Sequence, residues 1–570
     1  MFMRRTMKFA GIFIVILSIM ASAGLNLQRG IASPGIITVP TDYPTIQQAI
    51  NAANPGDTVF VKNGTYLGDV LVNKTVNLIG ENNQSTIIDG GGVGTVLTVS
   101  ASGLPSGSAD NVTIANFTLA NGGSGASDSA LMLNGVEGCN VTGVRDEADP
   151  PNGIWVNNSW YAMLEGNYVA NNSYGIVFTY SASNKILNNT LVNNSIGILL
   201  ATSSNNVICS NSIGDAISYA IYFTLSNYNN VSRNLIFNSY FGAYLDSSAY
   251  NNFRKNTFQY NGFADFWLVN SQFNCLSKNC ITSNSQFGIY LGLSSNNTIT
   301  RNFLKGNGNI AANIVSSGYN VFQADEFYNN SIALQFYNSS NNDVIGNNFT
   351  SNYNFAIYLN LSSSNNLYYN SFRYNTQDVY LDNSINKWDS GSIYGGGNYW
   401  DRYTGFDSDH YGIGNSSYVL DSNNIDHYPL LGLHYSRNFS RGMLNVISNT
   451  MIWDLQYFDS NSTVTMQVSN MSTGQTLGFA RFDFPYSLIN PTNLQISIDG
   501  GLTQPSYFNY SLYDNGTQRW IYVSFPMSMP THTIDIIPEF PSFLILPIMA
   551  ALLLAVTVYR RKRLHTRSFS

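Results

Sequence analysis

The sequence predicts an all-β protein built on a parallel β-helix, followed by a small β-sandwich and a C-terminal transmembrane helix. Three observations carry the main element. From Ala130 to Leu381 a pattern recurs about every 22 to 23 residues, a period that belongs to stacked solenoids. Within a copy the apolar residues alternate, as in Gly288-Ile-Tyr-Leu and Ala356-Ile-Tyr-Leu, which is strand spacing rather than helical spacing. Two further apolar pulses follow, such as Ile299 and Leu304, separated by Asn-rich corners where residues that tolerate left-handed backbone are favoured. Three short strands per turn make a coil.

The copies fall into register on a small residue: Ala130, Gly153, Gly175, Gly197, Ala220, Gly242, Ala264, Gly288, Ala311, Ala333 and Ala356, with Asp378 in the same slot. A second register runs through Asn167, Asn189, Asn211, Asn234, Asn256, Asn279, Asn302, Asp325, Asn347 and Asn370. Stacked Asn side chains hydrogen-bond along such a ladder, so a structural role is predicted for these residues.

The remaining elements follow in chain order. Arg4, Arg5 and Lys8, the apolar run from Phe9 to Met20 and then Ala21-Ser22-Ala23 have the three parts of a secretory signal, assigned to residues 1–23. Residues 37–56 are a capping segment in which Ile46, Ala49 and Ile50 mark one face of a short helix. A plug is needed there because a terminal coil exposes core and strand edges. The β-helix itself is assigned to 57–393 and an Asp/Asn-rich closing segment to 394–435. Residues 436–536 lose the repeat but keep strand alternation, as in Ser462 to Val468 and Trp520 to Phe525, and are predicted to form a β-sandwich stalk. The apolar run Phe543 to Tyr559, ahead of Arg560, Arg561, Lys562 and Arg563, reads as a span with a positive-inside stop. It ends a segment 537–559, and 560–570 is a basic cytoplasmic tail.

Composition narrows the function classes. Charged residues are only 10% of the chain and the net charge is -7, so no global basic field exists to attract nucleic acid. Cys139, Cys209, Cys275 and Cys280 contain no C-x-x-C pair, which gives no support to a zinc or redox motif. Asn-x-Ser/Thr sequons at Asn63, Asn116, Asn193, Asn348 and Asn461 fit an exported glycoprotein.

The segment from Asp42 to Tyr66, with the repeats after it, resembles exported right-handed β-helix proteins of the NosD type, over most of residues 37–432. The closing segment, Gly395 to Asn415 and Asp421 to Leu430, is similar to that of archaeal surface members of the group. Pro538-Glu539-Phe540 looks like a PEF-type sorting signal of archaeal surface proteins. The resemblance implies a right-handed, pectate-lyase-like solenoid displayed at an archaeal cell surface. It also implies a tail that an archaeosortase exchanges for a lipid anchor. Copper, the activity attached to the family name, calls for clustered His, Cys or Met. His410, His427 and His434 all lie outside the repeats, so copper is not expected and ordinary surface histidines are. The stretch from Thr45 to Tyr66 is also similar to pectin methylesterases, without that family's catalytic motifs downstream. Tyr403 to His410 superficially resembles the catalytic segment of alginate epimerases, in a different order and after the repeats.

Candidate sites come from residues that must face outward. Alternation places Trp155, Tyr222, Tyr244, Phe266, Tyr290, Tyr358 and Tyr380 on the outer face of the opening strand. Neighbouring coils are about 4.8 Å apart, so these rings are expected to form a stripe. Such a stripe suits stacking on sugar rings, or else it stabilises the coils at roughly 0.2 to 1 kcal/mol per ring pair. Arg233, Lys255, Lys278 and Arg301 precede the ladder Asn in four successive coils. Their repulsion is offset either by an anionic ligand such as an acidic polysaccharide or by solvent screening. Asp407, Asp409 and Asn415 are spaced like a calcium loop that lacks its third carboxylate, and the alternative is an Asx-rich turn. Catalytic carboxylates are sparse, with Asp246 and Asp382 facing outward and Asp265 at a normally buried position where a carboxylate is costly. No catalytic residue is assigned. The expected function is a surface-anchored extracellular protein that binds glycan along the aromatic stripe. The alternatives are a lyase, hydrolase or epimerase acting on acidic glycans, a structural or adhesive envelope protein, and a copper-associated protein.

Overall fold

A computed structural model describes residues 34–147, 151–489, 494–502, 512–527, 529–538 and 551–559. The signal segment 1–23, Glu539 and Phe540 of the sorting motif, and the basic tail lie outside them. Most of the expected membrane span does too. Residues 551–559 are helical, and among the described residues no helix is long and apolar enough to cross a membrane.

Three parallel sheets of fifteen, fourteen and fifteen strands run the length of a solenoid, each strand pairing with its counterparts one coil before and one coil after. A typical coil has a six-residue opening strand, Tyr219–Thr224, then a second strand, Asn230–Ser232, and a third, Leu235–Phe237. Ile221, Phe223, Val231 and Ile236 from that coil point inward and are fully buried. Each such side chain contributes about 2 kcal/mol on leaving water. The first strand, Ile36–Val39, pairs with Thr58–Val61. Between them the helix Ile46–Ala52 buries Ile46, Ala49 and Ile50 and is N-capped by Thr45, whose hydroxyl accepts from the Gln48 amide.

The corners are held by four side-chain ladders, of which the predicted one is the middle. Between the second and third strands, the Asn189 side chain accepts from the Asn167 amide at 2.9 Å and from its Nδ2 at 3.0 Å. It donates to the Leu164 carbonyl at 2.9 Å and to Asn211 Oδ1 at 3.0 Å. Both polar atoms of the Asn189 side chain are thereby used. The residue before each ladder Asn turns left-handed, as at Asn188, Ser210 and Arg233. A Ser ladder (Ser203, Ser226, Ser248) and a second Asn ladder (Asn206, Asn229, Asn251) hold the corner after the opening strand. A third Asn ladder, from Asn261 through Asn284, Asn307, Asn330 and Asn352 to Asn375, holds the corner before the next one. Ser203-Ser204-Asn205-Asn206 is thus a two-ladder corner with Asn205 left-handed between the rungs.

The closing segment continues the ladders after the repeat has ended. Asn398 accepts from Asn370, and Asp426 Oδ2 accepts from the Asn398 amide at 2.8 Å and from Trp400 Nε1 at 2.9 Å. Asn424 likewise follows Asn386. Gly397 is required here because a Cβ would lie 1.8 Å from the Asp426 carboxylate. Inside, Phe327, Phe349, Phe372, Trp400 and Tyr418 stack in sequence and fill the end of the solenoid.

Residues Leu433 to Pro538 contain two five-stranded antiparallel sheets. Leu444, Phe482 and Val523 of one pack with Val464, Met466 and Ile534 of the other in a single core, as in a sandwich. The domain packs directly on the solenoid. Arg481, 3% exposed, donates to the carbonyls of Ile393, Tyr394, Gly395 and Tyr411 in the closing segment. Tyr369 of the last coils stacks on His434 at 4.2 Å.

Candidate functional site

The outer face of the opening sheet is wider than simple alternation predicts. In Tyr219–Thr224, Phe241–Asp246 and Phe355–Asn360 the second and third residues both face inward, so the first, fourth and sixth face out. Each coil therefore offers two outward aromatic slots, and sequence reasoning found only the second. Its signal is an aromatic three residues before the predicted one, as in Tyr219 and Tyr222 or Phe287 and Tyr290.

Phe266 is a correction. It is fully buried, packed on Phe253 and Phe258 at 5.4 and 4.4 Å, and the ring facing outward in that coil is Trp267. The register pairs Ala264 with Phe287 and Phe266 with Ile289. Asp265, not Ala264, therefore occupies the small-residue slot, and the one-residue difference reverses every side chain. Asp265 is tolerated inside because its carboxyl accepts from Asn261 Nδ2 at 2.6 Å and from Asn284 Nδ2. Burial nevertheless pushes its pKa well above the usual carboxylate range.

With that change the rings divide into separate groups. Tyr219, Tyr222, Tyr240, Phe241, Tyr244, Phe263, Trp267, Phe287 and Tyr290 form one patch over four coils. Their centroids are 3.7 to 6.1 Å apart, closest where Trp267 stacks on Tyr290. Asn313 and Gln335 take the slot in the next two coils. Beyond them Phe355, Tyr358 and Tyr380 make a second, smaller group. Trp155 stands apart, with Val177 and Leu199 between it and Tyr222, and its Nε1 donates to Thr179 at 2.8 Å. Partial burial raises the phenol pKa of Tyr222, Tyr244 and Tyr290, with Asp246 adding to the first two. The patch is thus a neutral surface edged with hydroxyl donors.

Asp246 and Asp382 occupy the sixth slot, six coils apart, or about 29 Å at the coil spacing. Asp325 lies in the ladder, where Oδ1 accepts from the Asn302 amide at 2.7 Å and Nδ2 at 3.0 Å, while buried Oδ2 has no partner. Burial raises its pKa to about 7. Asp378 is also buried, accepts from Asn375 Nδ2 at 3.1 Å, lies 4.0 Å from Arg402 and is pushed up to about 6 by burial.

Arg233, Lys255, Lys278 and Arg301 are exposed at left-handed corner positions between the second and third strands. That corner lies across the coil from the aromatic sheet. Asp407 accepts from the amides of Tyr411 and Gly412 at 3.0 Å, and Asn415 Oδ1 accepts from the Phe406 amide at 3.2 Å. These are turn-forming bonds, and Asp409 stands exposed beside them.

The family described as periplasmic copper-binding protein (NosD) matches residues 108–279 and 264–405. The described residues do not fit a copper centre. No group of three or more His, Cys, Asp or Glu side chains gathers among them. His427 pairs with Asp389 at 2.9 Å, His434 is half-buried with its pKa lowered to about 3 by desolvation, and the Cys139 thiol is pushed up to about 12 by burial. No curated protein matches the chain at a significant level. Similar solved structures include DFA-IIIase from Arthrobacter chlorophenolicus A6 without its lid, at 13% identity, TM-score 0.40, covering 51% of this chain and 95% of that one. The mannuronan C-5 epimerase A-module from Azotobacter vinelandii is at 14%, TM-score 0.34, covering 60% and 94%. The family 28 exopolygalacturonase of Yersinia enterocolitica is at 14%, TM-score 0.33, covering 61% and 78%. The two family matches together span residues 108–405, more than half of the 570 residues and nearly all of the regular coils, and the chain belongs to the NosD family.

Proposed function

We propose that this chain is an exported, surface-anchored β-helix protein that binds carbohydrate on the aromatic patch between Tyr219 and Tyr290. One observation supports this above the rest: nine rings lie edge to edge and face to face on one outer sheet, with phenol hydroxyls at their margins. Aromatic faces carry partial negative charge, which suits the C–H faces of a sugar ring, while hydroxyl edges take up its hydrogen bonds. Binding is favoured over cleavage because, among the described residues, Asp246 is the one carboxylate at an outward position of the four opening strands that carry the patch. Glycoside hydrolysis uses two carboxyls about 5 to 9.5 Å apart. The signal segment and the C-terminal run support the location.

A glycan array probed with the full chain tests this, with Tyr244→Ala/Trp267→Ala as the comparison. The double variant is expected to lose about tenfold in affinity for whichever neutral glycan binds. Unchanged binding overturns the assignment to this patch, and release of shortened sugars would replace binding by catalysis.

A further inference from the structure

The basic corner shares the backbone of the other coils and differs from them in its side chains. Arg233, Lys255, Lys278 and Arg301 follow one another in adjacent coils, each locked by a backbone hydrogen bond to the coil beyond at 3.0 to 3.2 Å. All four hold a left-handed backbone in the slot that Gly166, Asn188, Ser210, Ala324, Gly346 and Tyr369, none of them charged, fill in other coils. Arg254 adds a fifth cation on the neighbouring row. Among the described residues none of the five is in an ion pair, and the flanking rows over these coils, Ser232, Ser277 and Thr300 on one side and Leu235, Thr257, Cys280 and Phe303 on the other, carry no carboxylate. Arg254, Arg301 and Lys255 press on Lys278 strongly enough to lower its ammonium pKa.

The row ends at the joint with the sandwich. Arg301 lines a cavity of about 350 Å³ with Gln323, Tyr368 and Asn445, and an adjoining cleft of about 390 Å³ with Arg437, Trp453 and Asp454. Trp453 is 58% exposed there.

We infer that this corner is a track for an acidic polysaccharide of uronate type, lying parallel to the solenoid axis with one end at the Arg301–Arg437–Trp453 cleft. The cations repeat at the coil spacing of about 4.8 Å, of the same order as the rise of one uronate ring, so successive carboxylates meet successive side chains. The intervening Ser232, Ser277 and Thr300 hydroxyls face sugar hydroxyls. Trp453 offers a stacking face for the terminal ring. The track lies on a different face from the aromatic patch and does not depend on it.

The test uses the full chain and two polymers, polygalacturonate and its fully methyl-esterified, neutral form. Polygalacturonate is expected to bind, to weaken as salt is raised, and to lose about tenfold in affinity in Lys255→Gln/Lys278→Gln. The neutral polymer is expected to bind no better to the wild type than to that variant. Tyr244→Ala/Trp267→Ala is expected to leave polygalacturonate affinity unchanged, which separates this track from the patch. Equal affinity of wild type and the lysine variant, or loss of polygalacturonate binding in the aromatic variant instead, overturns the inference. Tighter binding to duplex DNA or to anionic vesicles than to polygalacturonate overturns the choice of ligand.

Discussion

Replacing Asp325 by Asn puts the standard rung back into the middle ladder. In every Asn rung Nδ2 donates to the next side chain and to a carbonyl one coil back, as Asn347 does to Asn370 at 3.1 Å and to Phe322 at 2.9 Å. Asp325 places Oδ2 in that position without a partner, and only a protonated carboxyl can donate from it. Burial accordingly raises its pKa from 3.8 to about 7. The native state therefore keeps this proton up to about pH 7, whereas the unfolded chain loses it near pH 4, so stability falls as pH rises through that window. A difference of about three pKa units at 1.36 kcal/mol each sets an upper limit of about 4 kcal/mol on the loss. Asp325→Asn lacks this slope. Guanidinium unfolding of both proteins at about pH 4, 6 and 8 is expected to show near-equal midpoints at the lowest pH and a growing advantage for the variant above it. Asp265 titrates in both proteins and cancels in the comparison. A variant with no more advantage at pH 8 than at pH 4 refutes the protonated rung.

Phe266→Ala removes a fully buried ring and is expected to cost about 3 to 5 kcal/mol without touching glycan affinity. Trp267→Ala, one residue away, should cost under about 2 kcal/mol and weaken binding, so paired denaturation and binding measurements separate the two faces. Asn279→Ala strands the Asn256 amide and the Phe253 carbonyl and is expected to lose about 2 to 4 kcal/mol, with faster amide exchange at Asn256 as the local readout. Arg481→Met leaves four closing-segment carbonyls unpaired. It should raise proteolytic sensitivity around residues 393–411 while the coils remain protected.

Much of the solenoid was legible because each rung of a ladder and each inward apolar residue repeats at the coil period. What escaped was anything that broke the local copy. Ala264 imitates the small residue so well that Asp265 could not be recognised in its slot until the register with Phe287 was known. The first aromatic row was hidden because two consecutive inward residues, such as Ala220 and Ile221, interrupt strict alternation. The Ser and outer Asn ladders stood in the sequence as Ser-Ser-Asn-Asn, but hydrogen bonds 22 or 23 residues apart do not announce which member of a polar cluster turns inward. The joint was not legible at all. Arg481 reads as one charge on an alternating strand, and only the packed domains reveal the carbonyls it meets.

Because the rungs of the middle ladder bond to side chains and carbonyls of their own and the adjacent coils and to nothing farther off, the ladder has no preferred length. Removing one whole coil, for instance residues 310–331, would let Asn302 bond to Asn347 in place of Asp325 and Asn297 to Asn342 in place of Asn320. The cut would also draw the second aromatic group one step towards the first. The molecule is in this sense a ruler graduated in coils, on which the distance between two aromatic surfaces can change by duplication or loss of a graduation without redesign of either.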